Sequence, residues 1–240
     1  MAVMKEQLVL YFVVVTILFS TGNANNPYAG GASILLINGC EGTIWPGVHT
    51  KGGQRVTPTG LKLDSEENYD LKVPDSWSGT IWARTGCSGN PDNDFHCDVG
   101  DCGTRSMHCH FNGPRPPVTQ VKFNLAPKGG NSFYEINLKD GYNAGVSLTP
   151  LDSKCKRLLC LRNIKQECPN WLAQYSNDAT KVACKSQCYT TGEAKHCCTG
   201  DYASPQKCEL NEYTEYAERA CPDAVSNAFD QTHFSCAGGV

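Results

Sequence analysis

Polar and apolar residues alternate along residues 120–125, which read Gln-Val-Lys-Phe-Asn-Leu. The same two-residue period returns in residues 133–138, which read Phe-Tyr-Glu-Ile-Asn-Leu, and in residues 69–73, which read Tyr-Asp-Leu-Lys-Val. Successive side chains of a β-strand point to opposite faces, so this period predicts strands with one buried face. Apolar runs at residues 34–37 and 81–83 are bounded by turn residues. The pattern predicts an all-β core of the sandwich or barrel type.

The cysteines are concentrated in one part of the chain. Of 15 cysteines in 240 residues, nine fall between Cys155 and Cys221, where apolar runs are short. Such a segment buries little apolar surface and is expected to be held by cross-links. We expect disulfides and an oxidising compartment, since a reducing cytosol rarely supports so many cysteines. The odd count leaves one sulfur over.

Two short helices are expected in this cysteine-rich segment. Cys184 and Cys188 are four residues apart, which would place both sulfurs on one face of a helix over residues 182–188. Asn211 is a good N-cap for a second helix, and Pro222 would end it.

The N-terminus has the pattern of a secretory leader. Lys5 precedes an apolar run over residues 8–19, and small residues lead up to Ala24. We expect cleavage after Ala24. The alternative is an uncleaved anchor, although twelve apolar residues are few for a span of roughly 20. The protein is expected to be secreted, either extracellular in the apoplast or vacuolar, and not an integral membrane protein.

The charge distribution argues against a nucleic-acid partner. The chain has 21 Lys and Arg against 24 Asp and Glu, a formal net charge of -3. It has no run of five like charges. A basic patch or stripe is the usual electrostatic mark of nucleic-acid binding, and the sequence has none.

One segment could be interpreted as a zinc site. Three cysteines and three histidines lie within residues 96–110, namely Cys97, Cys102, Cys109, His96, His108 and His110. The cysteine spacing matches no standard zinc knuckle, and an oxidising compartment favours disulfides over thiolate ligands. We therefore expect no metal and no other cofactor.

Five blocks of sequence together resemble the thaumatin-like family of secreted plant proteins. They are Ile81-Trp82-Ala83-Arg84-Thr85-Gly86-Cys87, Cys97-Asp98-Val99-Gly100-Asp101-Cys102-Gly103, Ala183-Cys184-Lys185-Ser186-Gln187-Cys188, Cys197-Cys198-Thr199-Gly200 and Ala220-Cys221-Pro222-Asp223-Ala224. The resemblance implies a flattened β-sandwich core and a disulfide-rich lobe with short helices. The implied division is a leader over 1–24 and a thaumatin-like domain over 25–240, with a β core at about 32–84, 116–161 and 222–240, a small disulfide loop region at about 85–115 and a cysteine-rich lobe at about 162–221.

The resemblance also implies a pairing of the cysteines. The implied bridges are Cys87–Cys97, Cys102–Cys109, Cys155–Cys236, Cys160–Cys221, Cys168–Cys184, Cys188–Cys197 and Cys198–Cys208. The family's eighth bridge would join Cys40 to a C-terminal cysteine, which is absent here, as is the strand that carries it. A monomer with a free thiol at Cys40 is therefore expected, with an open apolar edge at residues 34–37. An oxidised preparation should contain a Cys40-linked dimer.

Family members that act against fungi have a cleft with one Arg, one Glu and three Asp. The matching positions here hold Thr80 for the Arg, Lys122 for the Glu, and Glu135, Asp140 and Asp223 for the three Asp. The resemblance implies that all five line a cleft between the core and the lobe, less acidic than in those members.

Three functions remain open from the sequence. The favoured one is a defence protein that binds fungal cell-wall β-glucan or perturbs fungal membranes. The second is a weak endo-β-1,3-glucanase that uses two of the carboxylates, although a lysine among them disfavours a proton-donating acid. The third is an inhibitor of foreign hydrolases. The acids could also be solvated turn residues with no ligand.

Overall fold

The structure is a computed structural model that describes residues 13–18, 28, 31–52, 54–127, 129–230 and 234–237. Its strands are β1 Val13–Leu18, β2 Ala32–Asn38, β3 Trp45–Gly52, β4 Asn68–Val73, β5 Ser78–Ser88, β6 His96–Val99, β7 Gln120–Asn124, β8 Asn131–Asn137, β9 Gly141–Tyr142, β10 Val146–Pro150, β11 Leu158–Cys160, β12 Ala173–Tyr175, β13 Lys181–Lys185, β14 Ala224–Val225 and β15 Phe234–Ala237. The helices are α1 Ile164–Glu167, α2 Gln187–Thr191, α3 Ala194–Cys197 and α4 Glu212–Ala220, with a 3-10 turn at Gly200–Tyr202.

Two sheets enclose the main core. The first has five strands in the order β11-β10-β1-β2-β4. The second has the order β14-β8-β7-β5-β3, with β15 beside β8 and β6 beside β5. Inward side chains of both sheets form one buried cluster that includes Ile34, Leu148, Val121 and Ile136. The two-residue period of β7 and β8 therefore arises, as predicted, because one face of each strand is buried. The all-β prediction is confirmed.

The prediction of an open edge at residues 34–37 is wrong, because strand β1 pairs with that edge. β1 pairs antiparallel with β2, with Val15 opposite Leu36, and parallel with β10, with Val15 opposite Leu148. The expected leader, residues 1–24, otherwise lies outside the described residues. Its apolar centre thus provides the middle strand of the first sheet.

The lobe between β11 and β14 contains the four α-helices and strands β12 and β13, which form a small sheet with β9 in the order β12-β13-β9. Helix α4 begins after Asn211, whose Oδ1 accepts from the Thr214 N–H at 3.1 Å, as the capping pattern predicts. The prediction of a helix over residues 182–188 is wrong. Residues up to Lys185 form β13, which pairs with β12 and β9, and α2 begins only at Gln187.

Seven disulfides cross-link the described residues. They join the pairs that the family resemblance implies: Cys87–Cys97, Cys102–Cys109, Cys155–Cys236, Cys160–Cys221, Cys168–Cys184, Cys188–Cys197 and Cys198–Cys208. All three cysteines of the possible zinc site are in these bridges, which leaves no thiolate ligand there. Cys40 is only 5% exposed within the main core. A bond from Cys40 to a second chain would require the core to open, so the structure does not support the expected dimer.

Candidate functional site

Three of the five predicted cleft residues lie side by side on the second sheet. Thr80 of β5 is opposite Lys122 of β7, and Lys122 is opposite Glu135 of β8. Residues directly opposite each other share a face, so the three side chains form one polar row across the strands. The intervening residues, including Val121 and Ile136, point into the core.

Lys122 and Glu135 form the charged centre of this row. The Lys122 Nζ lies 3.9 Å from Glu135 Oε1, and the two side chains are 34% and 14% exposed. Burial lowers the pKa of Lys122, and Glu135 opposes that change by attraction. Lys139 and Lys51 lower the pKa further, whereas Asp140 raises it. The row therefore lies in a mixed field of both signs and not in a purely acidic one.

An open hollow of about 370 Å³ lies over the row. Phe133 contributes a ring that is 47% exposed. A ring face beside hydroxyl, ammonium and carboxylate groups suits a ligand with both apolar faces and hydroxyl groups. The lining residues are Lys51, Ser78, Gly79, Thr80, Lys122, Phe123, Asn124, Phe133, Tyr134 and Glu135.

A row of buried side chains lies beside the first row, two residues along each of the same strands. Trp82, Gln120 and Asn137 are opposite one another on β5, β7 and β8, and all three are buried. The Asn137 side-chain amide donates to Glu135 Oε1 at 2.7 Å, and the Gln120 amide donates to Asp140 Oδ2 at 2.9 Å. Each bond thus joins one predicted carboxylate, Glu135 or Asp140, to a buried amide.

Asp140 lines a separate hollow of about 200 Å³ against the lobe. Its other walls include Gln187, His196 and Asn211. The His196 Nε2 lies 3.0 Å from Gln187 Nε2, and its Nδ1 lies 2.8 Å from Thr191 Oγ1. Sequence reasoning named Gln187 in a family block and Asn211 as a helix cap, but it assigned neither to a site and missed His196.

The fifth predicted residue, Asp223, lies apart from both hollows. Its Oδ1 is 2.6 Å from Lys156 Nζ, and its Oδ2 accepts from the Leu159 N–H at 3.2 Å. Asp223 is not among the residues that line either hollow. The structure therefore brings Thr80, Lys122 and Glu135 together and places Asp140 near enough to raise the pKa of Lys122, but it places Asp223 in an ion pair with Lys156.

The comparison with known families agrees with this architecture. The model of the Thaumatin family matches residues 38–239. The chain belongs to the thaumatin family. A "Glucan endo-1,3-beta-glucosidase" of Prunus avium is 36% identical over 98% of this chain and 96% of that protein. "Thaumatin-like protein 1a" of Malus domestica is 36% identical with the same two coverages. A solved thaumatin-like xylanase inhibitor has 26% identity and a TM-score of 0.43, covering 63% of this chain and 82% of that one.

This thaumatin-family chain has one carboxylate in its open hollow. Among the residues that line that hollow, Glu135 alone is an acid. Glycoside hydrolysis in most enzymes needs two carboxyl groups on either side of the bond, about 5–9.5 Å apart. Glu135 Oε1 also accepts a hydrogen bond from the Asn137 amide and lies 3.9 Å from Lys122 Nζ. The residues described around this hollow therefore provide one of those two carboxyl groups.

Within the described residues, no group of three or more His, Cys, Asp or Glu side chains could hold a metal ion. Among the helices of those residues, none is both long and apolar enough to cross a membrane.

Proposed function

We propose that this protein is a secreted plant defence protein that binds β-1,3-glucan of fungal cell walls in the hollow over Thr80, Lys122 and Glu135. The observation that carries the proposal is the polar row beside the half-exposed ring of Phe133. A glucan chain presents hydroxyl groups at its edges and C–H groups on its ring faces. The row offers partners for the hydroxyl groups, and Phe133 offers a flat apolar surface for a ring.

Binding is proposed without cleavage, because the hollow has one acid whose Oε1 already accepts a hydrogen bond. A weak endo-β-1,3-glucanase is the second candidate, and the name of the Prunus avium relative supports it. For hydrolysis, Asp140 would have to act with Glu135. Asp140, however, lines the other hollow and accepts from the Gln120 amide.

Export to the apoplast or vacuole is part of the proposal. Seven disulfides support it, since bridges of this number persist in oxidising compartments. The apolar run over residues 8–19 supports a leader. Cleavage after Ala24 would remove β1 and open the position between β2 and β10.

The direct test is a pull-down with insoluble β-1,3-glucan, with the release of reducing sugar measured on the same samples. We expect retention of the protein without sugar release. Phe133→Leu should weaken retention about five- to tenfold, because a stacked aromatic ring contributes about 1 kcal/mol or somewhat more. Tyr202→Leu is the control: Tyr202 is 41% exposed, lies outside this hollow and should leave retention unchanged.

Two results would overturn the proposal. Equal loss of retention in Phe133→Leu and Tyr202→Leu would show that the hollow is not the binding surface. Sugar release that disappears in Glu135→Gln would establish the enzyme alternative, since that substitution keeps the size of the side chain and removes its charge.

A further inference from the structure

A larger hollow of about 860 Å³ lies beside the proposed glucan site. It is formed by the end of β3, by the loop that follows that strand, and by the segment around the Cys102–Cys109 bridge. Lys51 lies at the rim of both hollows. The lining residues are Thr50, Lys51, Arg55, Val56, Thr57, Pro58, Thr59, His108, His110 and Phe111.

The two walls of this hollow are fastened to each other. The His110 N–H donates to Thr59 Oγ1 at 3.0 Å, across 51 residues of sequence. The Arg55 guanidinium stacks over the Phe111 ring, with its Cζ 3.6 Å from the ring centre. Val56 is 1% exposed and belongs to the main core. The hollow is therefore a formed feature of the fold with a fixed base.

All ionisable groups that line this hollow are of the basic type. They are Lys51, Arg55, His108 and His110, and the lining contains no Asp or Glu. Within the described part of the chain, none of the four forms an ion pair with a carboxylate. The whole chain has a formal net charge of -3, so this surface has the opposite sign to the protein as a whole. Uncompensated positive charge around a concave surface favours an anionic ligand.

The exposed side chains of this hollow indicate which class of anion it would bind. A guanidinium that stacks on a ring keeps its N–H edge available, and that edge matches the two oxygens of a carboxylate. The two imidazoles, with ring centres 6.3 Å apart, add further N–H donors on the same wall. Thr57 and Thr59 supply hydroxyl groups, and Phe111 is 59% exposed. Carboxylates, hydroxyl groups and flat C–H faces occur together in sugars of the uronic acid class.

We propose that this hollow is a binding site for an acidic oligosaccharide built from uronic acid units. Arg55 binds a carboxylate, the imidazoles of His108 and His110 contact the chain beside it, and Phe111 packs against a ring. This site goes beyond the proposed glucan function and does not depend on it, since the neutral and acidic glycans occupy different hollows.

The test measures binding of oligogalacturonate and of a neutral β-1,3-glucan oligosaccharide to the same protein samples by calorimetry. Arg55→Gln should weaken oligogalacturonate binding about five- to tenfold, the range expected for a charge-assisted contact at a partly exposed site. His108→Gln combined with His110→Gln should weaken it as well. Binding should fall as salt is added. Arg157→Gln is the matched control, because Arg157 is exposed and lies outside the hollow.

Each arm of the experiment separates this site from another explanation. Equal losses in Arg55→Gln and Arg157→Gln would overturn the proposal, because they would mean that only net charge matters. Competition by inorganic phosphate at the same concentration as the sugar would show a simple anion site. Loss of the neutral glucan in Arg55→Gln would show a single shared site. Failure of the neutral glucan to bind the wild type, with oligogalacturonate retained, would refute the proposed function and leave this site standing.

Discussion

Arg84 gives the sharpest prediction of the structure, because it is a fully buried cation whose partners are mostly backbone carbonyls. It lies on β5 and is 0% exposed. Its Nε donates to Trp45 O at 2.9 Å, and its Nη2 donates to Met107 O at 2.8 Å and to Pro46 O at 3.4 Å. The guanidinium thus fastens the segment before His108 to the second sheet. We predict that Arg84→Lys is more destabilising than Arg84→Met.

The magnitude follows from two opposing contributions. Each short hydrogen bond from a charged donor stabilises the fold by about 1.5–3 kcal/mol, so the two short bonds contribute about 3–6 kcal/mol. Burial lowers the pKa of Arg84 to about 10, while Asp101 opposes the change, and a shift of this size corresponds to about 3 kcal/mol for keeping the charge buried. Arg84→Met loses both contributions, for a net loss of about 0–3 kcal/mol.

Arg84→Lys still buries a positive charge but lacks the planar guanidinium and its several N–H donors. One ammonium group replaces at most one of the two short bonds, and an ammonium is more strongly hydrated than a guanidinium. The lost bond alone costs about 1.5–3 kcal/mol, and the stronger hydration of the ammonium adds to that loss. A domain of this size loses about 2–4 °C in Tm per kcal/mol, so Arg84→Lys should lower the Tm by about 5–10 °C and Arg84→Met by less.

The assay is thermal unfolding of both variants with the disulfides intact, followed by circular dichroism. Arg157→Lys and Arg157→Met serve as exposed controls and should change stability by less than about 0.5 kcal/mol. A Tm for Arg84→Lys equal to or above that of Arg84→Met would refute the reasoning, because it would mean that charge, and not the fork geometry, stabilises this position.

Three further predictions concern the cross-links, the cleft lysine and the first strand. Full reduction in denaturant should abolish refolding, since seven bridges at about 2–4 kcal/mol each exceed the ~5–15 kcal/mol net stability of a domain; a native circular dichroism spectrum of the reduced chain would contradict this. Burial lowers the pKa of Lys122, so the unfolded chain holds that proton to higher pH, and the stability of the wild type relative to Lys122→Met should rise as the pH approaches the ordinary lysine value of 10.5; a difference in urea unfolding that stays constant with pH would refute it. A chain that begins at Asn25 should unfold at lower urea and associate more than the full chain, and a peptide of residues 13–18 should reverse both effects; identical midpoints would contradict this.

Local patterns were sufficient for the strands that carry the site. Alternation identified β7 and β8 because one face of each lies on the core, and Asn211 identified the start of α4 because its side chain caps the first turn. The helix expected over residues 182–188 failed for a tertiary reason. Cys184 is drawn into a sheet by its pairing with Ala173 and Tyr142, and such pairing overrides a four-residue spacing.

The site was predictable only as far as it follows the sheet. The family resemblance implied Thr80, Lys122 and Glu135, and the sheet brings them together because they lie at matched positions of neighbouring strands. The position of Asp223 could not be predicted in this way, because its carboxylate forms an ion pair with Lys156, 67 positions earlier in the sequence. The basic hollow could not be predicted for a related reason. Arg55 and Phe111 are far apart in the sequence and come into contact only in the folded chain.

Strand β1 could not be predicted for a different reason, because its sequence pattern is compatible with two physical roles. Residues 13–18 read Val-Val-Val-Thr-Ile-Leu, which suits the apolar centre of a leader and equally suits a strand with neighbours on both sides. The structure pairs six of these residues with β2 and five with β10. The proposed export and the completion of the sheet therefore draw on the same residues. If the leader is removed, the backbone groups that β1 satisfied on both neighbours must turn to water or to another strand, and the uncleaved chain should be the more stable of the two forms.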